Sequence, residues 1–151
     1  MIVVLQRVSR AAVVVDGEVL GAIDRGLVLL ACAVPDDGPD DAARLAAKLA
    51  RLRVFEDADG RTNLSLLDVG GGALVVPQFT LAAEWRKGLR PSFDGAAAPG
   101  PARRLCAELV AALGAEGVER VEQGRFGATM SVELVNEGPF TLVLDSRPPP
   151  T

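Results

Sequence analysis

Two short stretches hold the residue types from which a reaction could be built. One is Val76-Pro77-Gln78-Phe79-Thr80-Leu81, which places an amide and a hydroxyl close together. The other is Asn136-Glu137-Gly138-Pro139-Phe140-Thr141, set between apolar alternating runs at 130–135 and 140–144. An absence bounds what they can do: the 151 residues include no histidine and no tyrosine. No Ser-His-Asp or Cys-His arrangement and no His-containing zinc site can form. Hydrolysis here must use carboxylates, hydroxyls, backbone groups or the substrate itself. Thr80 has no histidine to activate it, which argues against a nucleophile; on its own it reads as a strand residue with a satisfied hydroxyl. By local signals alone Gly138 and Pro139 read as a hairpin turn, Gly for a free φ and Pro for a fixed one, with Asn136 capping it.

The remaining polar chemistry is sparse. Cys32 and Cys106 are too few for a disulfide framework and read as buried thiols. Asp36, Asp37, Asp40 and Asp41 fall in a polar loop and read as surface. No metal or organic cofactor is expected. The net charge of −4 argues mildly against a nucleic-acid partner. The distribution is uneven, however: residues 85–104 carry Arg86, Lys87, Arg90, Arg103 and Arg104 against Asp94 alone. A local basic patch on an acidic protein can still hold a phosphate backbone. For Arg86, Lys87 and Arg90 two readings stand, a solvated charged loop or contact with RNA phosphates. Trp85 could stack on a base, but partial burial against the core is the plainer expectation. No apolar run reads as a membrane span. The start lacks the charged region and cleavage site of a signal peptide, so a cytoplasmic location is expected.

The elements that must position these residues follow from periodicity. Residues 3–8 read as a strand, and 11–15 and 18–23 as a hairpin about Asp16-Gly17. The continuous apolar run at 26–34 has the pattern of a strand buried on both faces. A first helix is expected after Pro39, with acidic residues in its first turn and Leu45, Leu49 and Leu52 on one stripe. A second begins near Pro101, carries Leu105, Leu109 and Leu113, and stops at Gly114. Between them come a short strand at 53–56, a turn at 57–60, a mobile break at Gly70-Gly71-Gly72, a strand at 73–76 and an irregular basic segment at 84–100. Strands at 118–122, 130–135 and 140–145 complete the list, the last two as a pair joined by the Gly-Pro turn. The pattern predicts one α/β domain over residues 1–146, with mixed, mostly antiparallel sheets and two helices packed between or against them. Residues 147–151 read as a frayed tail.

The two stretches, in this order, resemble the signature motifs of the D-aminoacyl-tRNA deacylases, Ser-Gln-Phe-Thr-Leu and Asn-x-Gly-Pro-x-Thr. The likeness continues through Leu5-Gln6-Arg7-Val8, Asn63-Leu64-Ser65, Arg86-Lys87-Gly88 with Arg90-Pro91-Ser92-Phe93, and Gly124-Arg125-Phe126-Gly127. It therefore covers nearly the whole chain. The resemblance implies a three-layer fold, a homodimer, and hydrolysis of the ester between a D-amino acid and the terminal ribose of tRNA. Gln78, Phe79 and Thr80 would line that ester, with backbone groups and the 2′-hydroxyl of the terminal adenosine doing most of the chemistry. Backbone N–H groups at an irregular strand end can serve a developing oxyanion. Gly138 and Pro139, joined by a cis bond, would enter the partner's pocket and sort chirality: two carbonyl oxygens accept from the substrate ammonium and fill the space an L side chain needs. Arg7 would brace this motif; without the resemblance it reads as one half of a salt bridge at a strand edge. Met130 and Phe126 read as pocket wall or as core, and Asn136 belongs to the substrate-binding motif.

One residue departs from the pattern. Pro77 stands where the family has Ser, which removes a hydroxyl and a backbone N–H. A sister branch that corrects an L-alanine mischarge also has Pro there, with a trans Gly-Pro bond. Phe79 and the Asn-x-Gly-Pro-x-Thr form lean to the D-specific branch. A non-catalytic nucleic-acid-binding protein on the same scaffold is the alternative from another class.

Overall fold

The strand β1 (Ile2–Val15) is the one on which the sheet is hung. The computed structural model describes residues 1–148, so positions 149–151 of the expected tail lie outside the described residues. Within it, Arg147 closes on Asp145 at 2.5 Å. The first half of β1 pairs antiparallel with β3 (Gly26–Cys32) and its second half with β2 (Glu18–Ile23). The expected strands at 3–8 and 11–15 are thus one strand with a slip in its middle. Arg7 and Val8 are both buried, and Ser9 and Arg10 both exposed. That break of alternation is what made it read as two. Asp16 and Gly17 both have positive φ, +50° and +79°, as the tight turn between β1 and β2 requires.

β3 continues into a parallel pairing with β6 (Gly72–Pro77), and β6 pairs parallel with β7 (Val121–Gln123). On the far side of β1 runs β8 (Ser131–Asp145), antiparallel over its whole length. The result is a mixed six-stranded sheet, with β4 (Phe55–Glu56) and β5 (Thr62–Leu64) as a separate small ribbon. The sheet curls until β2 lies over β6 and β7; a Cβ on Gly21 would stand 3.0 Å from Glu122 Cβ.

Helices α1 (Pro39–Arg51) and α3 (Pro99–Ala115) cover one face. Pro39 opens α1, and the Asp41 carboxylate accepts from the Gly38 N–H at 2.9 Å, which satisfies one free donor at the helix start. α3 begins two residues before Pro101 and runs one past Gly114. Leu45, Leu49, Leu105, Leu109 and Leu113 are buried with Leu5, Leu27, Leu29 and Val75 of the sheet. Each such leucine contributes roughly 1.5–3 kcal/mol by leaving water, as an upper bound. A second cluster, with Val8, Val13, Ile23, Val28, Leu74 and Val76, fills the curl on the other face.

Two local readings need correction. A third helix, α2 (Leu66–Val69), capped by Ser65, precedes the glycine triplet. The triplet itself is a packing seam, with no room in it for a mobile break: Gly70 ends α2 in the left-handed conformation, and Gly72 opens β6 facing Ile23. Phe79–Ala82 forms a short 3-10 turn directly after β6.

Candidate active site

A cleft of about 1030 Å³ opens where β6 ends, walled by α3 on one side and by the 124–132 segment on the other. Gln78 and Phe79 line it, as does Met130. Pro77 stands at the strand end, where a missing N–H is tolerated. The Gln78 N–H still donates to Ala31 O of β3 at 2.8 Å, and the 3-10 turn begins at the next residue, Phe79. The first N–H groups of a helical turn have no acceptor inside it. Those of Phe79 and Thr80 are in that position. Thr80 itself is exposed and does not line the cleft; its hydroxyl accepts from the Gln78 side-chain amide.

Further lining comes from α3 and the approach to it. Arg103 and Asp94 are the charged ones. The Arg103 guanidinium sits 5.1 Å from the Phe126 ring centroid, and Phe126 lines the cleft while packing on the core. Phe126 and Met130 are therefore both wall and core edge. Met130 Sδ accepts from the Arg125 N–H at 3.4 Å. Cys32 and Cys106 also line the cleft. Burial raises the Cys32 thiol above its ordinary value and pushes Cys106 up to about 11, with Cys32 adding to the latter. Both stay protonated at neutral pH, which is the opposite of an activated nucleophile. Among the described residues no group of three or more His, Cys, Asp or Glu is placed to hold a metal.

The second stretch is not a hairpin. Both flanking runs pair with the same strand: Thr141 faces Gln6 and Asn136 faces Val8. Glu137, Gly138, Pro139 and Phe140 therefore stand opposite Arg7 alone, as a wide bulge in one continuous strand. Local Gly and Pro signals cannot distinguish a reversal from a bulge, because the deciding partner is more than a hundred residues away. The Gly138–Pro139 peptide is cis. Asn136 ties the bulge, its Oδ1 accepting from the Phe140 N–H at 2.8 Å and its Nδ2 donating to Phe140 O at 3.3 Å. Arg7 holds it from beneath. Its Nε donates to Glu137 O at 2.8 Å, another guanidinium nitrogen donates to Val54 O at 2.6 Å, and its centre lies 4.7 Å from the Phe140 ring centroid. Arg7 is only 6% exposed and forms no ion pair among the described residues, so the salt-bridge reading gives way to a carbonyl brace.

Neither Gly138 nor Pro139 lines the cleft of its own chain, and both are exposed. Arg86, Lys87 and Arg90 stand on an exposed segment just beyond the cleft rim, outside the lining. Trp85 is 67% exposed, which overturns the expectation of burial against the core.

Residues 4–145 match the D-Tyr-tRNA(Tyr) deacylase family. A D-aminoacyl-tRNA deacylase of Ruegeria pomeroyi is 54% identical over 141 residues, covering 93% of this chain and 97% of that protein. One from Thermus aquaticus is 54% identical over 147 residues, covering 97% and 96%. Among solved structures, a c-Myc DNA unwinding element binding protein superposes with a TM-score of 0.91 at 35% identity, covering 98% of this chain and 100% of its own. A probable eukaryotic D-amino acid tRNA deacylase reaches a TM-score of 0.80 at 19% identity and shares the fold, covering 95% of this chain and 97% of its own. On the extent of these matches, the chain belongs to the D-Tyr-tRNA(Tyr) deacylase family.

Proposed function

We propose that this protein hydrolyses the ester of D-aminoacyl-tRNA in the cytoplasm, as a homodimer whose Gly138-Pro139 bulge completes the cleft of the partner subunit. The observation that carries this reading is the pairing of an open cleft at Gln78 and Phe79 with an exposed, rigidly braced bulge that does not reach it. A second copy reconciles the two. β8 supports this, since it pairs on one side only and leaves Val135, Leu142 and Val143 exposed.

In the assembled site the ester lies beside Gln78, Phe79 and Thr80. The Phe79 and Thr80 N–H groups meet the oxygen that gains charge as water adds to the carbonyl. The 2′-hydroxyl of the terminal adenosine assists, and Thr80 is not the attacking group. Carbonyl oxygens of the bulge accept from the substrate ammonium, with Met130 as a wall. An L side chain would collide with the bulge, whereas a D side chain points away. Lys87 and Arg90 meet the RNA backbone, whereas Arg86 beside them is tied to Glu84 at 3.2 Å. No metal or cofactor enters this scheme.

Release of D-tyrosine from D-Tyr-tRNA, with L-Tyr-tRNA as control, tests the reading. Equal release of both would remove the chiral filter. Glycine has no side chain to exclude, so glycyl-tRNA is expected to be cleaved too; good D-aminoacyl turnover beside none on glycyl-tRNA would contradict a filter based on collision. Pro77 is shared with a second reading, the L-alanine-correcting branch, against which the cis Gly138–Pro139 bond stands; release of an L residue alone would select it. A third, binding without cleavage, draws on the name of the similar DNA unwinding element binding protein; retention of tRNA without release would select that one.

A further inference from the structure

We propose that segment 84–92 is an arm that receives the unpaired 3′ nucleotides of the tRNA, with Trp85 stacking on a base and Lys87 and Arg90 holding phosphates. The choice of ligand rests on the deacylase reading above. Two backbone hydrogen bonds close the arm, Glu84 N–H to Ser92 O at 2.8 Å and Ser92 N–H to Glu84 O at 2.9 Å. Gly88, with φ +77°, lies between them. The base of the arm is fixed to the cleft rim. Phe79 before it and Phe93 after it pack edge to face, 5.3 Å between centroids, and both line the cleft. Gly95 lies against Ala82, where a Cβ would stand 2.7 Å from the carbonyl oxygen.

A chain whose end sits in the cleft and leaves over the Phe79 and Phe93 edge passes along this arm. The arm presents what single-stranded nucleic acid binds: an open aromatic ring and cations. Trp85 is two-thirds in solvent, so it adds little to the core. The Arg86 guanidinium lies 5.2 Å from its ring centroid and is itself tied to Glu84 at 3.2 Å. Arg86 is thus a positioning residue for the ring. Lys87 and Arg90 are exposed and form no ion pair among the described residues, which leaves their charge for phosphates. A double-helical stem offers no base face to Trp85, so the ligand is the unpaired end.

Trp85 is the single tryptophan in the chain, so its fluorescence reports on the arm alone. Uncharged tRNA should quench it, and the same tRNA trimmed of its unpaired 3′ end should not. Trp85→Ala should raise KM for D-Tyr-tRNA about 10-fold, the order of one stacked base, with the loss in KM and not in kcat. Trp85→Phe should restore most of it. Absent quenching, equal quenching by trimmed tRNA, or an unchanged KM in Trp85→Ala overturns the proposal. Failure of the wild-type protein to cleave D-Tyr-tRNA would sink the deacylase reading instead. The fluorescence titration needs no turnover and still decides the arm.

Discussion

At Gly138 a single added carbon decides whether the bulge keeps its shape. A Cβ there would stand 2.4 Å from the Phe140 amide nitrogen and 3.0 Å from Phe140 Cβ. Phe140 cannot retreat easily, because Asn136 holds its N–H and Arg7 covers its ring. The bulge itself must deform. Gly138→Ala is expected to lower kcat/KM on D-Tyr-tRNA by about 100-fold, the scale of an ångström's misplacement at a reacting centre. The urea midpoint should fall as well, since the atom the new carbon meets is backbone that cannot yield cheaply. The thiols give a prediction of a different kind. Burial pushes Cys106 up to about 11, whereas in the unfolded chain it titrates near its ordinary value of 9.0. Below the unfolded value both states keep the proton and the contribution is complete. As pH rises from there through the folded value, the unfolded state releases its proton first, and stability is lost by roughly 2–3 kcal/mol. Urea denaturation between pH 8 and about 11 should show that loss in the wild type and a flatter curve in Cys106→Ala. Identical curves would mean the thiol is not shielded.

At the scale of elements, the parallel contact between β3 and β6 depends on glycines facing each other. A Cβ on Gly26 would lie 1.9 Å from Gly72 O, a backbone atom fixed in the sheet. A Cβ on Gly72 would meet Ile23 Cγ2 at 2.9 Å and Ile23 Cβ at 3.2 Å, a milder overlap, though with a buried and stiff β-branched side chain. Gly26→Ala should therefore cost more than about 3 kcal/mol, in the range reserved for core disruption, and Gly72→Ala clearly less; a reversed order in urea melts would contradict this seam. The same seam shows where sequence reading stops. α1 and α3 were legible because their leucine stripes are local, and the Asp16-Gly17 turn because its conformational demand lies within two residues. The cleft edge at Gln78 and Phe79 was legible through the motif. A run of three glycines, by contrast, looks the same whether it is loose or wedged against Ile23. The Gly138-Pro139 bulge read as a turn because strand partners at long range carry no local mark. Arg103 and Cys106 reach the cleft only because α3 packs beside the end of β6, which no helical period reveals.

At the scale of the whole molecule, a chain of net charge −4 still sets three of its sixteen cationic side chains, Arg86, Lys87 and Arg90, on the arm beside the cleft. The two halves of the proposed site also lie apart on one protomer, which makes the subunit arrangement testable by mixing two inactive proteins. Gly138→Ala spoils the bulge but leaves the cleft open. Ala128→Trp fills the cleft, which Ala128 lines, but leaves the bulge intact. Each homodimer has two dead sites. In a heterodimer, the sound bulge of the Ala128→Trp chain enters the open cleft of the Gly138→Ala chain, and one site works. Random reassociation makes half the dimers mixed, each with one of two sites competent, so about a quarter of wild-type activity should return in an equal mixture. Recovery should need denaturation and refolding together if the dimer exchanges slowly. If the bulge served its own chain, every protomer in the mixture would still carry one defect, and no activity would return.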